Sequence, residues 1–364
     1  MNKQTVSPLQ FSILIIGFLF GTSIILSTSP EAKQDSWITV IIGGTSGISL
    51  FILFYYFYQR FPELTIFQYQ QKLLGKKLGK LINYLYIWFF VHLAAIVLTN
   101  FWFFMCSTFY PTTSPVVIGL FLMVAITYAI YVGIEAIART EQILIPIIPI
   151  SLVIIYSLLW KEYNLENLLP IGENGIKPIL SGSLGIFTFP FGETIAFGAL
   201  FPYIKQGNKN KTKKIFISTL FIMMIFGTIS TMLNILILGS IRENSMFPFV
   251  DIVRLVNVLG FLERIDAFVM LIWVISVFSK LSILVFAAII GFRDTFEIED
   301  YRPIVLPVSS LVMTLSYFLY NNIVEMNAFA FSTWPFYSLV FELLIPIILL
   351  ITLIFKNNKL KNNR

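Results

Sequence analysis

Long apolar runs joined by short polar connectors make up most of this chain. Ten of them approach the ~20 residues that cross a bilayer as helix: 9–28, 37–58, 81–110, 116–134, 143–160, 181–204, 215–240, 265–292, 304–320 and 335–355. Two runs are interrupted in mid-course. The first is broken at Gly21-Thr22-Ser23 and the sixth at Phe189-Pro190-Phe191-Gly192-Glu193. Irregular backbone at membrane depth survives only where it lines a cavity or is buried in protein. A matched pair of such breaks points to a small-molecule site near the bilayer midplane, as in transporters.

The breaks open the two halves of the chain, 9–160 and 181–355, within one transmembrane domain over 1–364. Five spans per half force the second half to insert upside down. The expected class is therefore an all-α polytopic membrane protein of about ten helices. Its architecture would be a 5+5 inverted repeat (LeuT-like) with helices one and six broken.

Composition sharpens this picture. Of 364 residues, 57% are hydrophobic and 12% charged, with mean hydropathy +0.84; soluble domains carry roughly 25% charge. Cys106 and His92 are the only residues of their types, which argues against disulfides, a metal centre and resident cofactors. The net charge of +6 belongs to loops and speaks for lipid headgroups, not nucleic acid. Lys and Arg crowd the connectors on one side, including Arg60, Lys72, Lys76, Lys77, Lys80, Arg139, Lys205, Lys209, Lys211, Lys213 and Lys214. Lys33, Lys161, Lys177, Arg242, Arg254 and Arg264 fall on the other. This asymmetry predicts both termini in the cytoplasm. The polar stretch 1–8 precedes a run long enough to span, which predicts insertion through that run without a cleaved leader. Between spans, 62–80 reads as a basic amphipathic connector. The stretch 247–262 reads as an outer surface helix, with Val250, Val253, Val256 and Leu259 opposite Asp251, Arg254 and Asn257.

Gly21, Thr22 and Ser23 let the backbone unwind, so that freed amides could hold a carboxylate and freed carbonyls a cation. Gly17 and Gly21 could equally form a small-residue packing face. At the second break Pro190 removes a backbone donor, and Glu193 places a carboxylate at mid-membrane. Such a group is a functional candidate by default, for capturing an ammonium or carrying a proton. Lys280, inside the eighth span, either pairs with a carboxylate or snorkels to the interface. If its span packs on the first break, its ammonium could stand where sodium-coupled transporters bind sodium. Ser276 and Ser279 share that region. Asn100 and Thr99 are polar groups of the third span, where His92 reads as a packing residue. Glu342 is a further buried acid without an evident partner. The expected ligand-binding set is Gly21, Thr22, Ser23, Asn100, Phe189, Phe191, Gly192, Glu193 and Ser276, with Glu193 and Lys280 for ion or proton coupling. Trp102 adds to the expected aromatic lining. No catalytic constellation is visible, so an enzyme is not expected.

Several stretches resemble the B-subunit permeases of spore germinant receptors, in the amino acid–polyamine–organocation superfamily. They are Gln34-Asp35-Ser36-Trp37-Ile38, Phe61-Pro62-Glu63-Leu64-Thr65, Leu74-Gly75-Lys76-Lys77-Leu78-Gly79-Lys80 and Gly133-Ile134-Glu135-Ala136-Ile137-Ala138-Arg139. They continue with Asn167-Leu168-Leu169-Pro170-Ile171-Gly172-Glu173-Asn174-Gly175-Ile176-Lys177-Pro178, Phe191-Gly192-Glu193 and Phe261-Leu262-Glu263-Arg264-Ile265-Asp266. The family's Gly-x-Gly turn stands here as Gly21-Thr22-Ser23, and its following Pro-Arg as Pro30-Glu31. The resemblance implies a multi-pass protein of the spore inner membrane, assembled with a germinant receptor A subunit and a C-subunit lipoprotein. It implies a small nutrient germinant bound around the first and sixth spans, with the third and eighth as walls. A proton-coupled amino acid symporter is the alternative, because one scaffold hosts both activities.

Overall fold

The computed structural model describes residues 4–23, 29–245, 247–256 and 266–362. Its first helix, α1 (Pro8–Phe20), starts with Pro8 in the first turn and a capping box in which Ser7 and Gln10 satisfy each other's backbone N–H. It stops at Gly21, whose φ of +24° no other residue type adopts readily. The rest of the expected first span, 24–28, lies outside the described residues. After a 3₁₀ turn at Pro30–Asp35 comes α2 (Ser36–Arg60). The connector expected at 62–80 is a short helix, α3 (Ile66–Leu74), capped by Thr65 and Gln68. At Gly75 (φ +86°) the chain turns into α4 (Lys76–Thr108), so the third span begins before Leu81.

Next come α5 (Pro115–Val132), α6 (Ile134–Leu144) and α7 (Ile147–Leu158). The pair α6–α7 forms one apolar span from Ile134 to Leu158. The fifth span thus starts about two turns earlier than its hydropathy suggested. The sixth span is α8 (Ile176–Ile186), a π-helical turn at Phe187–Phe191 and a 3₁₀ stretch at Gly192–Ala199. Then follow α9 (Lys209–Leu238), the single turn α10 (Ile241–Asn244) and α11 (Pro248–Arg254). The eighth span is α12 (Asp266–Phe296). After it α13 (Arg302–Phe318) bends by 103° into α14 (Ile323–Ser332). The last span is α15 (Trp334–Leu339), a π-helical turn at Val340–Leu344 and α16 (Ile345–Asn362).

Among the described residues, eight helical stretches are long and apolar enough to cross a bilayer, and the bent pair α13–α14 makes a ninth. The chain is thus an all-α, multi-pass membrane protein. The expected surface helix at 247–262 differs from its reading. Within its described part, 247–256, Pro248–Arg254 is helical, and Phe249, Val250, Ile252 and Val253 are all buried. Apolar residues on both of its sides are covered, so α11 packs into the bundle, against α9 and α12. Residues 257–262 lie outside the described residues, as do Lys3, Arg264 and the motif at 261–265.

Both described chain ends lie at one end of the bundle, where Val6 pairs with Tyr203–Lys205 and Lys356 Nζ donates to the Lys72 carbonyl at 3.3 Å. Two of the motifs quoted above, 34–38 and 167–178, meet at the other end. Asp35 accepts the Gly172 N–H with both carboxylate oxygens at 3.0 Å, and Gln34 donates to the Pro170 carbonyl at 3.0 Å.

Candidate functional site

The two breaks lie side by side on α12. Gly17 and Gly21, one turn apart on α1, let α12 approach closely. A Cβ on Gly17 would collide with Ser279 Oγ of α12, and on the α6–α7 side would sit 2.6 Å from Ile145 Cδ1 and 2.9 Å from Glu141 Oε2. A Cβ on Gly21 would meet the Phe18 carbonyl at 2.7 Å and the Lys280 side chain. Lys280 is fully buried and ion-paired with the equally buried Glu193. It does not snorkel. Its ammonium also faces the rings of Phe189 at 4.4 Å and Phe18 at 5.2 Å. Such contacts stabilise a desolvated cation.

Next to this pair is a cavity of about 330 Å³. Thr22, Thr188, Phe189 and Glu193 line its buried part, and Leu93, Ile96, Val97 and Asn100 on α4 form one wall. Phe329, Trp334, Pro335 and Phe336 form another, and the mouth is bounded by Glu31, Glu243, Ser245 and Phe331. Its charged lining residues, among those described, are all acidic. At the mouth, Glu243 pairs with Lys33 at 3.5 Å. The neighbouring Arg242 is pulled inward to donate to Ser36 Oγ at 3.0 Å; burial pushes its guanidinium down to about 10.

Of the residues expected to bind ligand, Thr22, Asn100, Phe189 and Glu193 line this cavity. Ser23 and Phe191 do not. They line a smaller cavity of about 80 Å³ on the far side of the break, with Met223, Asn234 and Arg242. Residues two apart in helical backbone point to nearly opposite faces, and Phe189 is itself extended (φ −136°, ψ 118°) inside the π turn. Gly21 packs on Lys280, and Gly192 packs on the Glu342 carboxylate. Ser276 is buried without a hydrogen-bond partner and lines neither cavity. Trp102 stacks on Phe103 instead. His92 stacks on Trp88 with its ring 5.3 Å away, and Thr99 donates to the Ala95 and Ser316 carbonyls, both packing roles.

Sequence reasoning missed Glu141. It lies on α6, inside the fifth span, fully buried and facing Ser279. The charges of Glu135 and Arg139 had pushed that span's expected start beyond it. It also missed the cavity wall from α14–α15, where Asn327 and Trp334 were readable only as generic polar and aromatic positions.

At the opposite end the bundle is closed. Val6 N–H donates to the Tyr203 carbonyl at 2.9 Å, and Lys205 N–H donates to the Val6 carbonyl at 2.8 Å. Arg293 donates to Tyr203 Oη at 3.1 Å and to Asp294 at 2.7 Å, and the Thr65 hydroxyl donates to Asp294. Lys76 and Lys80 both pair with Glu297 and hold its carboxyl below the usual range.

A cavity beside the end of α1 and the irregular sixth span, in an all-helical membrane bundle, defines a transporter-like, permease-type protein. Solved structures agree on the fold. Mhp1, described as a nucleobase-cation-symport-1 family transporter with bromovinylhydantoin bound, superposes with a TM-score of 0.68 at 11% identity over 90% of this chain and 75% of that one. MhsT in complex with L-phenylalanine gives 0.66 at 14% identity over 97% and 99%. These are LeuT-fold transporters. The profile of the family described as "Spore germination protein" matches residues 5–326, and the chain belongs to that family. Spore germination protein KB of Bacillus subtilis (strain 168) is 29% identical over all of this chain and 98% of its own length. Spore germination protein GerQB of Bacillus cereus is 24% identical over 91% of each chain.

Proposed function

We propose that this protein is the membrane B subunit of a spore nutrient-germinant receptor. It binds a small nutrient, an amino acid or similar, in the 330 Å³ cavity and passes the change to an A subunit and a lipoprotein C subunit. The observation that carries the reading is that cavity's position. It touches both broken segments, so an occupant contacts the backbone whose geometry differs between conformations. A ligand that favours one conformation 100-fold supplies about 2.7 kcal/mol of bias. The same reading places the protein in the spore inner membrane with both termini cytoplasmic, its halves related as an inverted repeat. α3 is the element offered to cytoplasmic partners, and for the lipoprotein only the polar side of α11, at Asp251 and Arg254, is left uncovered. Membrane lipids anchor the Lys209–Lys214 run.

Gly185 provides the test. It lines the cavity, and a Cβ there meets nothing within 4 Å. Gly185→Leu therefore fills the cavity without straining the helix. Spores carrying it, at normal protein levels, should lose their dose-response to amino acids, sugars or nucleosides. An unchanged response would remove the cavity from the ligand path. The second reading, a proton-coupled amino acid symporter, is favoured by the Glu193–Lys280 pair beside the cavity. Reconstituted protein under a pH gradient distinguishes them: accumulation lost in Lys280→Met marks a symporter, and saturable binding without accumulation marks the receptor.

A further inference from the structure

Glu342 occupies the π-helical turn of the last span, across from the irregular sixth span. It is fully buried, and neither carboxylate oxygen has a hydrogen-bond partner. It rests on Gly192, where any Cβ would collide with it. The charged groups that face it are Glu193 from the sixth span and Lys280 from α12. Tyr86 of α4 is also near, but its hydroxyl is committed to the Phe341 carbonyl at 2.6 Å. Ser338 donates to the Pro335 carbonyl at 3.4 Å. Two acids thus share one ammonium, and that ammonium is on Glu193.

Charge counting then decides the state of the cluster. Two carboxylates and one ammonium leave a net negative charge on side chains that are all essentially fully buried. An uncompensated buried charge costs several kcal/mol, and groups in that position neutralise instead. Charged side chains at this depth pair or take up protons. We propose that Glu342 is a proton-binding site: it holds a proton as the neutral acid while Lys280 pairs with Glu193, and releases it when Lys280 moves across to it. In that step the Glu342 O–H bond breaks, its electron pair stays on the carboxylate, and the proton leaves to water. The Lys280 ammonium transfers its N–H contact from Glu193 to Glu342. Glu193, which lines the cavity, is then free to hold the ammonium of an occupant. One cation enters and one proton leaves, so the net charge of the cluster is constant. The exchange with an occupant rests on the cavity reading above, whereas the proton site does not, and it can be tested without any ligand.

The experiment is infrared spectroscopy of the full-length protein in lipid nanodiscs at pH 7, reading the C=O stretch of protonated carboxylic acids. Other buried acids cancel in difference spectra between variants. Glu342→Gln should remove one acid band and leave the unfolding temperature near wild type, since Gln matches the neutral acid in shape. Glu193→Gln should remove the same band although Glu342 is intact, because Lys280 is freed to pair with it. Lys280→Met should add a second band. A Glu342→Gln spectrum identical to wild type would overturn the proposal. So would a Glu193→Gln protein that keeps the Glu342 band, a result that leaves the cavity reading untouched.

Discussion

Replacing Lys280 with Met removes the ammonium that Glu193 depends on while keeping a side chain of similar length. Both partners are essentially inaccessible to water, at 0% and 1% exposure, so solvent cannot screen the loss. Leaving one partner of a buried pair behind costs about 3–5 kcal/mol. The cheaper escape is to protonate Glu193. Taking a proton from pH 7 onto a carboxyl with an ordinary value near 4.3 costs about 1.4 kcal/mol per pH unit, or about 3.7 kcal/mol. That figure caps the destabilisation at neutral pH. In the variant Glu193 carries a proton in the native state that it lacks in the unfolded state, whereas in wild type it is ionised in both. Its stability deficit therefore shrinks as pH falls, to about 1.6 kcal/mol at pH 5.5. Adding Glu193→Gln removes the orphaned acid, and the double variant should recover most of the loss. Unfolding free energies measured by steric trapping in bicelles at both pH values supply the check. A deficit below about 1 kcal/mol at pH 7, or one equal at the two pH values, would refute the reasoning.

Other expected outcomes follow from local geometry. Gly21→Ala forces a Cβ against the Phe18 carbonyl at a φ of +24° and should cost about 1–3 kcal/mol. Gly227→Ala, whose Cβ would meet only Val40 at 3.5 Å, should instead stabilise by up to about 1 kcal/mol; equal effects in thermal unfolding would contradict both. Thr65→Val loses the cap of α3 and the bond to Asp294 and should cost about 2 kcal/mol, so a loss below about 0.5 kcal/mol by the same measure would mean that Asp294 has another anchor. Glu297 is held below its ordinary value by Lys76 and Lys80. Its contribution is therefore present above the unfolded value and lost as pH falls through the depressed one. Glu297→Gln should be slightly less stable than wild type at pH 7 in low salt and equal to it at strongly acid pH. A difference that persists in acid would assign the effect to something other than this carboxylate.

The breaks were legible because Gly21 and Pro190 advertise them chemically: one permits a backbone angle, the other removes a donor. What sits opposite each break was not legible. Lys280 and Glu193 are 87 positions apart in number, and only the packing of α12 on the sixth span joins them. Periodicity places Ser279 and Lys280 on adjacent faces but does not reveal that one meets Glu141 and the other Glu193. Phe189 and Phe191 look equivalent in sequence, two residues apart with the same side chain. Two residues apart around a helical turn, they reach different cavities. The fifth span shows the converse error. Polar residues near its start were read as connector, when Glu141 is one of the most deeply buried acids in the bundle. Hydropathy averages such a residue away, while its burial is what makes it chemically notable.

The closed end bears on the choice between sensing and transport. The cavity mouth lies among Glu31, Glu243 and Phe331, whereas the far end is held by two backbone bonds to Val6, the Arg293–Tyr203 contact and the Thr65–Asp294 bond. At about 1 kcal/mol net each, these four interactions put the state open at that end about 4 kcal/mol above the closed one. That corresponds to a population of about one in a thousand. Carrying a ligand through requires passage by this minor state, whose population only a ligand or coupled ion that prefers it can raise. Reporting a ligand requires much less, since the change need only alter the face shown to a partner. Under the receptor reading proposed above, a chain in this arrangement would report its occupant without opening that end. The closure at Val6 and Tyr203 is therefore the feature on which uptake, as against binding, depends.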